Sequence, residues 1–521
     1  MKIYRILYKV ALEIVYFDIH LFSYSLFNIF KNSNWIIALK NNINTNKSTM
    51  IKTCRFVPIL CMGIFYAYSA FSQQPTGVSA IPLTSLEAFQ QSGKNWIISS
   101  DAGADFTKDG DIHSISGIGA VVNIVTPNNH SHLITKESFG DLALELDFMM
   151  TKNSNSGVYL QGRYEIQLFD SWTKLNPTFS DCGGIYQRWD ESRGNNNEGY
   201  EGIAPLMNVA KAPGLWQHLK VIFRAPKFNE KGKKISDAIF EQVYLNGALI
   251  HIQVKVTGPT RASIYEDEQP AGPLMFQGDH GNIAFRNIQY SIPDISAKNE
   301  ITENPIIINP EGKPYLLRSY LNFGDKKLTH VISVGNPNQL NFSYDLKQGA
   351  LFQIWRGDFL EVTDMWHERG EPQLAKPLGA VITLSDAPAL AVLTNPLEQW
   401  PNSIAFDDFQ NKGYSLDANR FPTFLYAINT INVSDKFSSQ GSTSLLRELQ
   451  ITGAPEGLYI RLASDTQIEL IGNGLYAIGN KNYYITVADS LKPVIRKSLT
   501  GQELIVAIPV NTASLSYSIT W

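Results

Sequence analysis

The chain has 521 residues, 44% of them hydrophobic and 11% aromatic, with 18% charged and a formal net charge of −4. That length suits two or three domains, and the composition excludes disordered, collagen-like, coiled-coil and disulfide-scaffold classes for the bulk of the chain. Three cysteines allow one disulfide at most, and no basic block is present to hold nucleic acid.

Residues 1–49 are dominated by Phe, Tyr, Ile, Lys and Asn and are expected to be leader upstream of the true start. The alternative is a membrane anchor over the apolar stretch from Ile6 to Phe30. Lys9, Glu13, Asp18 and His20 interrupt it, which disfavours a span. Residues 50–72 read as a secretory signal peptide that begins at Met50. Lys52 and Arg55 precede an apolar run from Phe56 to Tyr68, and Ala70-Phe71-Ser72 meets the small-x-small cleavage rule. The mature chain is then 449 residues with 36 basic and 46 acidic side chains, net −10. It is expected to be periplasmic or secreted, with no stable membrane span. Cys182 alone remains, so no internal disulfide can form. Cys61 as a lipoprotein cysteine is the alternative, although Ile59-Leu60 lacks the small residue that processing wants.

From residue 80 onward, short segments alternate apolar and polar residues between Gly, Asn, Asp and Pro turns, the all-β pattern. Leu142–Met149, Val158–Leu168, Trp216–Arg224, Phe240–Leu245 and Ile283–Tyr290 are predicted strands. Asn246-Gly247 is a strong hairpin turn. A polar, Pro-containing linker is expected at 292–312, separating a domain at 80–291 from a β region at 313–521 of one or two modules. The predicted architecture is a jelly-roll sandwich followed by one or two further β-sandwich modules.

The strand read at Val158–Leu168 puts Tyr159, Gln161, Arg163, Glu165 and Gln167 on one face by its period of two. Five hydrogen-bonding side chains in a row suit a polyhydroxylated ligand; a solvated outer face gives the same pattern. Glu145 and Asp147 share the polar face of another strand, either as an acid/base pair or as two solvated carboxylates. Gln277, Asp279 and His280 lie in a Gly-rich turn, where an aspartate can orient an imidazole for proton transfer, and Arg286 follows on a strand. Tyr186, with Trp189, is a candidate stacking platform. His130-x-His132 has metal-like spacing but lacks further ligands nearby. No nucleotide-binding or nucleophile-elbow motif is present.

The order of motifs carries a resemblance. An E-L-D-F strand is followed by N-S-G-V-Y-L and Y-E-I-Q-L-F-D-S. Then come G-G-I-Y, P-G-x-W-Q, a Y-L-N-G hairpin and G-P-L-x-F-Q-x-D-H-G-x-x-x-F-R-N-I. Together, over about residues 80–291, these resemble the 3-keto-disaccharide hydrolase family, also described as 3-keto-glucoside 1,2-lyases and 3-keto-2-hydroxy-glucal hydratases. The resemblance implies a concanavalin/lectin-type jelly roll with a sugar ligand. By matching motif positions it implies site roles for Gln161, Arg163, Glu165, Gln167, Gln277, His280 and Arg286. Gly278-Asp279 departs from the tighter family spacing before the histidine.

The chemistry so implied starts from a ketone at C3, which acidifies the C2 hydrogen. A base removes that proton, the C1 substituent leaves, and water adds to the unsaturated keto sugar. Glu165 or His280 is the candidate base, Arg163 or Arg286 stabilises the enolate oxygen, and Asp147 or Glu145 is the candidate acid. No cofactor is required by the sequence, and a divalent metal could replace the arginine. Two other readings stay open: a lectin-like module that only binds sugar, and a glycosidase using Glu145 and Asp147 as its carboxylate pair.

Overall fold

The computed structural model describes residues 77–90, 92–294, 304–366, 373–395 and 397–521. The leader and signal segments, with Cys54 and Cys61, lie outside the described residues. The all-β expectation is met throughout. Among the described residues no helix is long and apolar enough to cross a membrane.

The first part is a two-sheet sandwich. Its larger sheet runs in the order Ala248–Val256, Ala238–Leu245, Trp216–Arg224, Leu142–Met150, Ile283–Ser291, His113–Asn123 and Trp96–Gly103. Its smaller sheet runs Leu133–Phe139, Gly272–Phe276, Asn155–Leu160 and Tyr164–Phe169. Leu142, Leu144, Leu146 and Phe148 from the first meet Val158, Leu160, Ile166, Leu168, Leu274 and Phe276 from the second in one buried core. Each fully buried side chain of this size contributes about 1.5–3 kcal/mol. The expected Asn246-Gly247 hairpin is present, with Leu245 paired to Ala248 and both turn residues at positive φ, 52° and 83°. Cys182 is buried and unpaired, and burial pushes its thiol up to about 12.

One predicted strand is two. Residues 158–168 break at Gln161-Gly162, both at positive φ, into a hairpin with register Leu160↔Tyr164, Tyr159↔Glu165 and Gly157↔Gln167. Odd residues pair with odd, so the turn leaves the face assignment unchanged on either side of it.

Residues 307–521 add further antiparallel sheets, and residues from Ile332 to Trp521 share one core. Within it lies a buried polar network. The Asp435 carboxylate accepts from Arg447 Nε (2.9 Å), Arg447 Nη2 (2.6 Å) and the Tyr344 hydroxyl (2.8 Å). Arg447 Nη1 donates to the Tyr517 hydroxyl at 2.9 Å. This region lies against the outer face of the larger sheet. Lys481 Nζ reaches Asp101 at 2.5 Å, the Lys481 carbonyl accepts from the Trp216 amide at 3.0 Å, and Tyr484 stacks on Phe106 at 5.2 Å.

Candidate active site

The candidate site lies on the face of the smaller sheet turned away from the core. Core-facing Val158, Leu160, Ile166, Leu168, Leu274 and Phe276 force Tyr159, Glu165, Gln167, Met275 and Gln277 to the opposite side, because strands alternate. Register then aligns two rows. Met275 pairs with Tyr159 and Tyr159 with Glu165. Ile185 bridges Ile166, so Tyr186 follows beside Glu165, its amide donating to the Glu165 carbonyl at 3.1 Å. In the second row the Gln277 amide donates to the Gly157 carbonyl at 2.9 Å, and Gly157 pairs with Gln167.

Glu165 is the central group. It is 2% exposed. Burial pushes its carboxyl up to about 8, the Tyr159 hydroxyl pulls it back, and the Asp279 charge raises it further. At neutral pH it is therefore mostly a neutral acid. The Tyr159 hydroxyl donates to the Arg261 carbonyl at 3.2 Å and is held protonated chiefly by burial. With its amide oriented to satisfy both neighbours, Gln167 donates to Glu165 Oε1 at 3.0 Å. Gln277 is buried, and its Oε1 has no hydrogen-bond partner among the described residues, an acceptor left for a ligand.

At the end of the Gly272–Phe276 strand, His280 Nδ1 lies 2.5 Å from Asp279 Oδ1. The His280 side chain is 53% exposed, so its other nitrogen can meet a substrate. His132 joins them: its Nδ1 accepts from the Gly278 amide at 3.2 Å and lies 3.9 Å from Asp279. Burial lowers the His132 pKa, the Asp279 charge opposing. Its sequence signal was the His-x-His pair, read there only as metal spacing. Among the described residues no group of three or more His, Cys, Asp or Glu is arranged to hold a metal ion.

Gly157 is a site residue that sequence reasoning missed, although glycine inside a strand often marks a close approach. A Cβ at this position would fall inside contact distance of Glu165 Oε1. Gly157→Ala should displace that carboxyl and lower kcat roughly 100-fold, with the melting temperature little changed. Steady-state kinetics beside thermal unfolding checks this, and an unchanged kcat would show that the carboxyl need not lie there.

The other expected residues go elsewhere. Gln161 and Arg163 sit on the hairpin turn and anchor a loop. Gln161 Nε2 donates to the Phe139 and Pro270 carbonyls (3.1 and 3.3 Å). Arg163 pairs with Asp267 at 2.8 Å and stacks over Tyr265 at 4.4 Å. Glu145, Asp147 and Arg286 occupy the outer face of the larger sheet, with the whole core between them and Glu165. Glu145 pairs with Lys220 at 2.7 Å. Asp147 accepts from His218 (2.9 Å), Asn287 (2.7 Å) and Arg286 (3.3 Å). Burial works against the Asp147 charge, and the His218 and Asn287 hydrogen bonds with the Arg286 charge overcome it, holding the pKa below the usual range. That is the wrong direction for a general acid. Trp189 stays near the first face, under Arg261 at 3.9 Å.

The outward face of the smaller sheet of this two-sheet sandwich thus carries a buried carboxyl beside a row of polar and aromatic side chains. Residues 84–290 match the family model of the 3-keto-alpha-glucoside-1,2-lyase-like domain, in agreement with the resemblance read from the motifs. Among solved structures, a provisionally assigned glycosyl hydrolase of Parabacteroides distasonis is 22% identical, covering 43% of this chain and 93% of its own, with a TM-score of 0.27. A second from that organism is 19% identical, covering 41% of this chain and 100% of its own, with a TM-score of 0.28. No curated protein matches the chain at a significant level.

Proposed function

We propose that the domain at 80–291 cleaves 3-keto-glycosides by C2 proton abstraction, elimination and hydration, and that it does so in an exported chain. The observation that carries this reading is a buried carboxyl raised to about 8 on the same sheet as an Asp–His pair with an exposed imidazole. Environments that separate titratable groups in this way assign acid and base roles. His280, oriented by Asp279, takes the C2 proton. Neutral Glu165 donates a hydrogen bond to the enolate oxygen or gives its proton to the departing C1 oxygen. The C1–O bond breaks with its electron pair on the leaving group, and water then adds across C1=C2. Gln167, Gln277 and Tyr186 hold sugar hydroxyls and the ring face. No step calls for a metal.

The test is turnover of 3-keto-trehalose beside plain trehalose, with and without chelator. Consumption of the keto sugar alone, in both chelator conditions, is expected. Consumption of plain trehalose would favour a carboxylate-pair glycosidase, and consumption of neither a binding module. Export is tested by N-terminal sequencing of the chain recovered outside the cytoplasm, which should start at Gln73.

The pH profile distinguishes the role of Glu165. As an acid with its pKa near 8, its active form is lost as pH rises, so kcat/KM should fall through about pH 8. A profile that instead climbs through pH 8 would make Glu165 the base.

A further inference from the structure

The outer face of the larger sheet borders a second cavity. Lys211, Gln217 and Arg286 of the sandwich meet Asn480 and Asn482 of the C-terminal region around a cavity of about 280 Å³. His218 also lines it and is about half exposed, so solvent reaches it. None of this lies near Glu165, which is across the core on the smaller sheet.

The unused bonding capacity of the cavity is one-sided. Asp147, its carboxylate, already accepts from His218, Asn287 and Arg286. The donors are not used up. Gln217 is 1% exposed; its Oε1 accepts from the Lys211 amide (2.9 Å) and Asn246 Nδ2 (3.2 Å), and its Nε2 has no partner among the described residues. Buried amide nitrogens are rarely left so. Lys211 Nζ donates to the Trp216 carbonyl (3.3 Å) and to Asn482 Oδ1 (2.5 Å), which leaves one of its three N–H groups. No carboxylate lies within ion-pair distance of Lys211 among the described residues, whereas Arg286 has Asp147 and Asp101. Burial of that ammonium pulls its pKa down to about 8, the Asp147 charge opposing. A buried charge normally finds a partner of opposite sign.

We propose that this cavity binds a small polyhydroxylated carboxylate, a sugar acid the size of a single ring, with its carboxylate on Lys211 and Gln217 Nε2. The volume falls just below the usual range for ligand sites and suits one ring better than an oligosaccharide. The amides of Asn480 and Asn482 offer the mixed donor and acceptor groups that hydroxyls need. Because two parts of the chain form the cavity, its occupant would bridge them.

The experiment is calorimetric titration of the mature chain with D-glucuronate and, separately, with D-glucose, repeated on Lys211→Met, Gln217→Met and Glu165→Gln. Glucuronate should bind wild type at least 10-fold more tightly than glucose. Each cavity variant should weaken it at least 10-fold, and Glu165→Gln should leave it unchanged. Equal binding of glucuronate and glucose, or no glucuronate binding to wild type, overturns the proposal. So does binding that survives both cavity variants or is lost in Glu165→Gln, since either places the ligand elsewhere. Two variants are used because Lys211 packs at the interface; if one fails to fold by circular dichroism, the other carries the comparison.

Discussion

Glu165→Gln is expected to lower turnover of a 3-keto-glycoside about 10²- to 10⁴-fold, the range for loss of one positioned acid or base, while making the protein more stable at high pH. Both effects follow from the same burial. The carboxyl titrates near 8 when folded and near the ordinary 4.5 when unfolded. Between those values the native state keeps a proton that the unfolded chain releases, so wild-type stability falls as pH rises from about 4.5 to about 8. Above that window the full penalty of a buried carboxylate applies, on the order of a few kcal/mol. A glutamine carries no such penalty. The gap in melting temperature between variant and wild type should therefore be small at pH 4.5 and largest at pH 9. Stability gained where activity is lost is the signature of a strained functional group. Wild-type turnover by the variant would remove Glu165 from the mechanism, and a gap independent of pH would show that its carboxyl is not raised.

What the sequence showed well was alternation. Leu142–Met150 and Trp216–Arg224 were read to within a residue, because a half-buried strand repeats with period two and nothing tertiary competes. Residues 158–168 were read as one strand and are a hairpin, since Gln161-Gly162 is not a strong turn signal. The face assignment of Tyr159, Glu165 and Gln167 nevertheless held, because Tyr159 pairs with Glu165 and parity is kept across the turn. Gln161 and Arg163 were on the turn itself and were lost to it. Sheet membership was not legible at all. Glu145, Asp147 and Arg286 alternate as cleanly as Glu165 does, yet long-range pairing puts their strands in the other sheet. Local pattern encodes which residues share a face, and pairing between distant segments decides which faces meet. His132 and Asp279, 147 positions apart in numbering, converge for the same reason.

Arg447→Met should destabilise the C-terminal region by about 3–5 kcal/mol, the range for breaking one side of a buried ion pair. Asp435 is 0% exposed. Without Arg447 it keeps the Tyr344 hydroxyl and loses two charge-assisted hydrogen bonds. Burial then forbids the charge that the pair had supported. Pairing the change with Asp435→Leu removes the charge along with its partner and should recover much of the loss, because matched apolar replacements of buried pairs are often neutral or stabilising. A double-mutant cycle by urea unfolding measures the coupling; additive losses would mean that the pair contributes little beyond its packing. The consequence reaches the interface. Arg447 lies on Ser444–Ala454, which pairs with Asn511–Thr520, and that strand pairs with Tyr483–Val487. Immediately before Tyr483 come Asn480, Lys481 and Asn482, the residues that meet the sandwich. Loss of the buried pair should therefore weaken glucuronate binding at the interface cavity before it affects turnover at Glu165, whose sheet has its own core.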